Sequence, residues 1–155
     1  YRARRQRQMC IRDSPVAETL KNLGAHKALV FHSNDGLDEI SSADKTLVAE
    51  LNNGNISEYE IDPKDFDVYQ NNLEDLQINS PSDSLKLIQA TFRNEDFLSG
   101  KNITALNSAA VIYVSGQTDN FLQAFEIAMN VLESGKAQKK LDELISFSRK
   151  FDEST

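Results

Sequence analysis

The hydrophobic positions of this chain change their period along its length, and each change predicts an element. Pro15 suits the first turn of a helix, Val16, Leu20 and Leu23 recur at helical spacing, and Gly24 is a natural stop. Lys27–His32 (KALVFH) is a short apolar run bounded by turn formers and predicts a buried strand. Residues 33–44 (SNDGLDEISSAD) are polar, contain Asp35–Gly36 and predict a loop. Two strand-like runs, Thr46–Leu51 and Ile56–Ile61, flank Asn53–Gly54, a pair that supplies the positive φ angles of a type I′ hairpin turn. Asp62–Pro63 ends the hairpin. Residues 63–81 are rich in turn formers, with a short helix near Leu73–Leu76.

From there the period is helical. Leu85, Ile88 and Phe92 form one stripe, with Ser82 or Asp83 as cap. A helix from about Ile103 to Val114 carries Leu106, Ala109, Ala110 and Tyr113, and its small residues predict close packing on another element. Gly116 closes it. Thr118 or Asp119 caps the next helix, where Leu122, Phe125, Met129 and Leu132 share a face. Gly135 ends that one, and a last amphipathic helix carries Leu141, Leu144 and Ile145. All these stripes are read as core, Tyr113 and Met129 included. The sum is an α/β fold in which a strand and a hairpin precede a cluster of helices. The strands are few for so many helices, which predicts further strands outside this sequence.

Composition changes the picture at one end only. A chain of 155 residues that is 39% hydrophobic is ordinary for one domain with a real core. No apolar run reaches the roughly 20 residues of a membrane span, and no signal peptide is visible, so a soluble cytoplasmic protein is expected. Cys10 is the single cysteine, and with only His26 and His32 beside it a Cys/His metal cluster is excluded; any metal would be a hard cation on oxygen ligands. The net charge of −7 is unevenly spread: residues 1–14 hold five of the seven arginines and one acid, and the remainder holds 12 basic and 23 acidic residues. A basic arm for nucleic acid is one reading, but no aromatic residues are interleaved with it and the acidic body would repel phosphate. A disordered tail is another. The favoured one is a non-native leader, because RQRQMCIRDS resembles translated sequencing-adapter read-through. Residues 1–14 are therefore set apart from the domain at 15–151 and a tail at 152–155, and neither nucleic acid nor membrane is an expected partner.

The candidate chemistry lies in Asn34–Ser41 (NDGLDEIS), immediately after the first strand. Ligands of open α/β sheets bind just outside the carboxyl ends of the strands, and here three carboxylates fall within five residues. Adjacent carboxylates in extended backbone point to opposite sides, so Asp38 and Glu39 suit two different positions or two metal ions. Magnesium keeps waters and takes one or two protein carboxylates beside substrate phosphates. The spacing of an EF-hand is absent. The residues alone leave a solvated acidic turn equally open.

The stretch ALVFHSNDGLDEIS resembles the Val-His-x-x-Asp-Gly-Leu-Asp-Glu-hydrophobic-Ser segment of the anthranilate phosphoribosyltransferases. The resemblance continues in KTLVAELNNGNISEYEIDPKDF, in LNSAAVIYVSG and in ESGKAQKKLDEL, and it covers about Pro15 to Phe151. Ser33, where glycine is common, and Ser108, where alanine is usual, depart from the pattern. The resemblance implies the C-terminal part of a nucleoside phosphorylase/phosphoribosyltransferase-type α/β domain, a mixed sheet with a hairpin flanked by helices. It implies transfer of a phosphoribosyl group from phosphoribosyl pyrophosphate to anthranilate in tryptophan biosynthesis. Asp38 and Glu39 match the pair that holds Mg2+ against the pyrophosphate. Asp35 is assigned to the turn, Gly36 to an unusual backbone angle, His32 to packing or hydrogen bonding, and Asn107 to a polar core contact. The family's Gly-Thr-Gly-Gly-Asp phosphate loop, its anthranilate contacts and its dimerising N-terminal helical domain have no match here. The piece is accordingly expected to be inactive alone and part of a homodimer when complete. The alternatives are a related phosphoribosyltransferase or nucleoside-phosphorylase-like enzyme with another acceptor, or an acidic interaction module without catalysis.

Overall fold

The computed structural model describes residues 14–95 and 97–152. Residues 1–13 of the expected leader and 153–155 of the expected tail lie outside the described residues. Helix α1 spans 14–22 and stops at Gly24, whose φ of +89° is the left-handed conformation glycine adopts without penalty. The strands β1 (Lys27–Ser33), β2 (Thr46–Asn52) and β3 (Asn55–Ile61) follow. Short 3-10 turns at Pro63–Phe66 and Glu74–Leu76 lead to α2 (Pro81–Phe92), α3 (Leu98–Val114), α4 (Phe121–Glu133) and α5 (Lys136–Asp152). Among the described residues, no helix is long and apolar enough to cross a membrane.

The sheet has the order β1-β2-β3, antiparallel throughout. Asn53 (φ 47°) and Gly54 (φ 85°) make the expected hairpin turn. The central strand β2 is buried on both faces: Thr46, Val48 and Glu50 alternate with Ala49 and Leu51. Val48, Ile61 and Ile40 join a core with Ala105, Leu106, Ala109 and Ala110 of α3 and Ala124, Phe125, Ala128 and Leu132 of α4. The alanines on both helices let α3 and α4 pack closely, and for α3 the small residues predict a close neighbour. Asp62 caps the 3-10 turn at Pro63–Phe66 by accepting from Lys64 N, and so aims Phe66 into the α4 end of the core. Its ring meets Phe121 and Phe125 edge to face, at centroid distances of 5.7 and 5.3 Å. Gly100 lets α2 and α3 touch, since a Cβ there would overlap the Phe97 ring and the Thr91 hydroxyl.

Three readings are corrected. Ser80, with Pro81 at the first helical position, caps α2 rather than Ser82 or Asp83; the serine hydroxyl accepts from Asp83 N. Asn120 rather than Thr118 or Asp119 caps α4, and Thr118 instead braces that cap by accepting from Asn120 N. The outer helical stripes are core only in part: Phe92 of α2 and Phe125, Met129 and Leu132 of α4 belong to it or pack on it, and other positions do not. α1 buries Ala17 and exposes Val16 and Leu23. Leu85, Ile88, Leu122 and Ile145 are exposed, as is Leu144 at 61%. Among the described side chains of α5 none is buried; its main neighbours among the described residues are α4 and α2.

A carboxylate also sits inside the fold. Glu50 is 8% exposed and accepts hydrogen bonds from Tyr113 Oη (2.7 Å), Tyr59 Oη (2.9 Å) and, more weakly, Asn52 Nδ2 (3.4 Å). A buried charge is tolerated only with such donors. Lys27 Nζ closes the group from β1: it lies 3.8 Å from the Tyr113 ring centroid and donates to Tyr113 O at the end of α3 (2.8 Å). Burial, then the hydrogen bond to Glu50, pushes the Tyr113 phenol up to about 12, and Tyr59 rises for the same reasons.

Because the folded-state value of Tyr113 lies above its unfolded value, its contribution to stability is complete below about pH 10 and is lost as pH rises through about 12. Tyr113→Phe should flatten that alkaline arm in urea-unfolding curves. At neutral pH it should cost about 1–3 kcal/mol, since Glu50 loses a donor.

Candidate functional site

The loop after β1 is tied down residue by residue. Ser33 N donates to Leu37 O (3.0 Å) and Asn34 N to Lys45 O (2.9 Å), which closes the base of the loop. Gly36 takes φ +98° and donates to Ser33 O (3.1 Å), the role its position predicts. Asp35 belongs to the turn, as expected: Oδ1 accepts from Leu37 N (3.2 Å) and Oδ2 from the Ser41 hydroxyl (2.6 Å). Ser41 Oγ also accepts from Ala43 N (2.9 Å), and Ser41 N donates to Thr46 Oγ1 (3.1 Å).

Two side chains from elsewhere hold the loop against the helices. Asn107 of α3 accepts from Ile40 N at Oδ1 (2.9 Å) and donates from Nδ2 to Ile40 O (3.0 Å) and Ile103 O (2.9 Å). It is thus the polar contact its helical setting suggests, and its partner is the loop backbone. Gln70 accepts from the Ser42 hydroxyl (2.8 Å) and donates from Nε2 to Ser99 Oγ (2.5 Å), while its own N–H reaches Ser42 O (2.8 Å). Ile40, Ser41 and Ser42 are fully buried as a result. His32 is buried at the end of β1.

Asp38 and Glu39 are the exception in this loop. Both are exposed, and among the described residues neither carboxylate has a hydrogen bond or ion pair. Glu39 borders an open cleft of about 460 Å³ whose far wall is one face of α3: Ile103, Thr104, Asn107, Ser108 and Val111. Two exposed, adjacent hard oxygen donors, one of them beside an open cleft, suit a cation that keeps part of its water and also binds an oxyanion. A closed cage is not formed: among the described residues, no group of three His, Cys, Asp or Glu side chains is arranged to hold a metal ion. Sequence reasoning located the acidic pair but not its two clamps. An asparagine on a helix of small apolar residues was a visible signal for Asn107; Gln70, inside a turn-rich stretch, gave none.

Ser41→Ala removes the donor to Asp35 and the acceptor for Ala43 N. It should cost about 1–3 kcal/mol, and amide hydrogen exchange should quicken at Ala43 while the β2–β3 hairpin amides keep their protection.

The model of the glycosyl transferase family, a/b domain, matches residues 12–138. The chain is 47% identical over 131 residues to an anthranilate phosphoribosyltransferase of Ruthia magnifica subsp. Calyptogena magnifica, covering 84% of this chain and 38% of that protein. It is 44% identical over 138 residues to one of Marinomonas sp. (strain MWYL1), covering 88% of this chain and 40% of that protein. Its fold matches the crystal structure of anthranilate phosphoribosyltransferase from Thermus thermophilus with a TM-score of 0.79 at 28% identity, over 88% of this chain and 40% of that one. The enzyme from Saccharomyces cerevisiae, solved in complex with 4-fluoroanthranilate, shares the fold with a TM-score of 0.66 at 19% identity, over 77% of this chain and 35% of that one. The chain thus spans about two fifths of the length of the relatives it matches.

Proposed function

The chain belongs to the glycosyl transferase family through its a/b domain, and from that membership we propose that it supplies the leaving-group side of phosphoribosyl transfer to anthranilate. The observation that carries this reading is the contrast within one loop: Asp35 is engaged in hydrogen bonds, whereas Asp38 and Glu39 are exposed and uncommitted, with Glu39 bordering the cleft.

The reaction breaks the bond between ribose C1 and pyrophosphate and leaves oxocarbenium character on the sugar. The anthranilate amino group then forms the new C–N bond, so no protein nucleophile is required. Asp38 and Glu39 are the residues that would hold Mg2+, which when bound supplies positive charge against the departing pyrophosphate. Their backbone is fixed before the ligand arrives, because Ile40 and Ser41 are bonded on either side of the loop. Positions fixed in advance favour the transition state without reorganisation at the moment of reaction. Neither carboxylate acts as an acid or base in this scheme.

The rest of the active site lies outside these residues. No Gly-Thr-Gly-Gly-Asp run occurs in the sequence to cradle the phosphates, so the chain by itself should turn over no substrate. Tryptophan biosynthesis, a homodimer and a cytoplasmic location belong to the same reading.

The test is the double substitution Asp38→Ala/Glu39→Ala in a protein of the relatives' full length that carries this chain as its C-terminal part. Steady-state turnover should fall by about two orders of magnitude or more, the scale of charge stabilisation that metal coordination supplies, with the circular dichroism spectrum unaltered. An unchanged rate with an unchanged magnesium dependence would overturn the assignment.

A further inference from the structure

We propose that Asn107 is a positioning residue for the acidic pair: its side-chain amide sets where Asp38 and Glu39 stand, without touching the ligand itself. The proposal rests on the metal reading of that pair given above and adds the part of the fold that aims it.

Asn107 gives Ile40 what a neighbouring strand would give it, an acceptor for its N–H and a donor for its C=O, at 2.9 and 3.0 Å. The second Nδ2 hydrogen goes to Ile103 O, one turn back on α3, which prevents the amide from turning over. Ile40 is fully buried in the core between β2 and α3, so its two backbone groups have no access to water when the amide is removed. Two buried, unpaired groups would cost about 1–3 kcal/mol each. The loop escapes that cost only by moving outward, which carries Glu39, one residue away, and Asp38, two away, off their present positions. The same turn of α3 forms the wall opposite Glu39, so the residue that fixes the loop also fixes the width of the cleft. Only asparagine meets the requirement at this reach: aspartate lacks the donors, and glutamine is one methylene too long. Gln70 anchors Ser42, on the side of the loop remote from the pair, and leaves Ile40 to Asn107.

The experiment follows Mn2+, a paramagnetic substitute for Mg2+, added to the 155-residue chain, with NMR line broadening read at the Asp38 and Glu39 amides. Wild-type protein is compared with Asn107→Ala and with Leu132→Ala. Leu132 lies in the α4 core, and its truncation lowers stability by about 2–5 kcal/mol without touching the loop. Expected are a loss of about 10–100-fold in Mn2+ affinity for Asn107→Ala, the scale for residues that orient metal ligands, faster amide exchange at Ile40, and wild-type affinity for Leu132→Ala. Equal affinity in wild type and Asn107→Ala overturns the positioning role while leaving the metal site standing. Absence of broadening in the wild type removes the metal reading, and this inference with it. Asn107→Gln, which keeps the amide on a longer stem, serves the same comparison should the alanine variant not fold: weakened binding supports the proposal and wild-type binding overturns it.

Discussion

Two hydrogen bonds from one amide join the two halves of this fold, and a third, within α3, fixes the amide's orientation. The sheet and its polar loop stand on one side, the α3–α4 pair on the other, and Asn107 is the polar link between the loop backbone and the helical core. Near it the contacts are apolar and undirected, Ile40, Val48 and Ile61 against the alanines and Leu106 of α3, while Tyr113 at the other end of that helix donates to Glu50 and accepts from Lys27 of the sheet. Such contacts set how closely the layers approach but leave the rotation of the loop free. The directional bonds remove that freedom, and the uncommitted carboxylates gain a defined place from it. Gln70 repeats the device at Ser42, so the loop is held at two points by residues distant in sequence.

Most of the local structure was legible because it rests on local causes. Asn53–Gly54 specifies the hairpin turn through its backbone angles, Gly24 ends α1, and the alanines of α3 announce a close neighbour. The acidic pair was legible from its position after a strand, and the assignment of Asp35 to the turn agrees with its two bonds. What failed depends on context that periodicity does not carry. The stripe on α5 reads as core, yet among the described residues Leu144 and Ile145 remain exposed, because an amphipathic pattern states that a face wants cover and not which element provides it. The cap of α2 was displaced by two residues because Ser80, Ser82 and Asp83 are all competent caps, and Pro81 decides among them by favouring the first helical position. Asn107 could be read as a polar contact, but its partner Ile40 could not, since a contact across 67 residues leaves no trace in local spacing.

The family match and the open cleft bear on each other. A chain that spans about two fifths of its relatives' length carries an acidic loop with both its anchors, and no Gly-Thr-Gly-Gly-Asp run occurs in its sequence. The acidic loop is thus built from contiguous sequence, and the stretch from β1 to α3 contains the pair together with Gln70 and Asn107.

The buried Glu50 has a consequence for how the sheet finds its alignment. Hydrophobic residues on β2 are nearly interchangeable, for Val48, Ala49 and Leu51 are apolar on both faces and would tolerate a slip by one position. Glu50 would not. A one-residue shift turns it to the opposite face, away from both Tyr59 and Tyr113, and leaves a charge in the interior without donors. The carboxylate therefore penalises the misaligned sheet far more than it strengthens the correct one. Its service is to exclude the wrong pairing in a strand that apolar contacts alone would leave ambiguous.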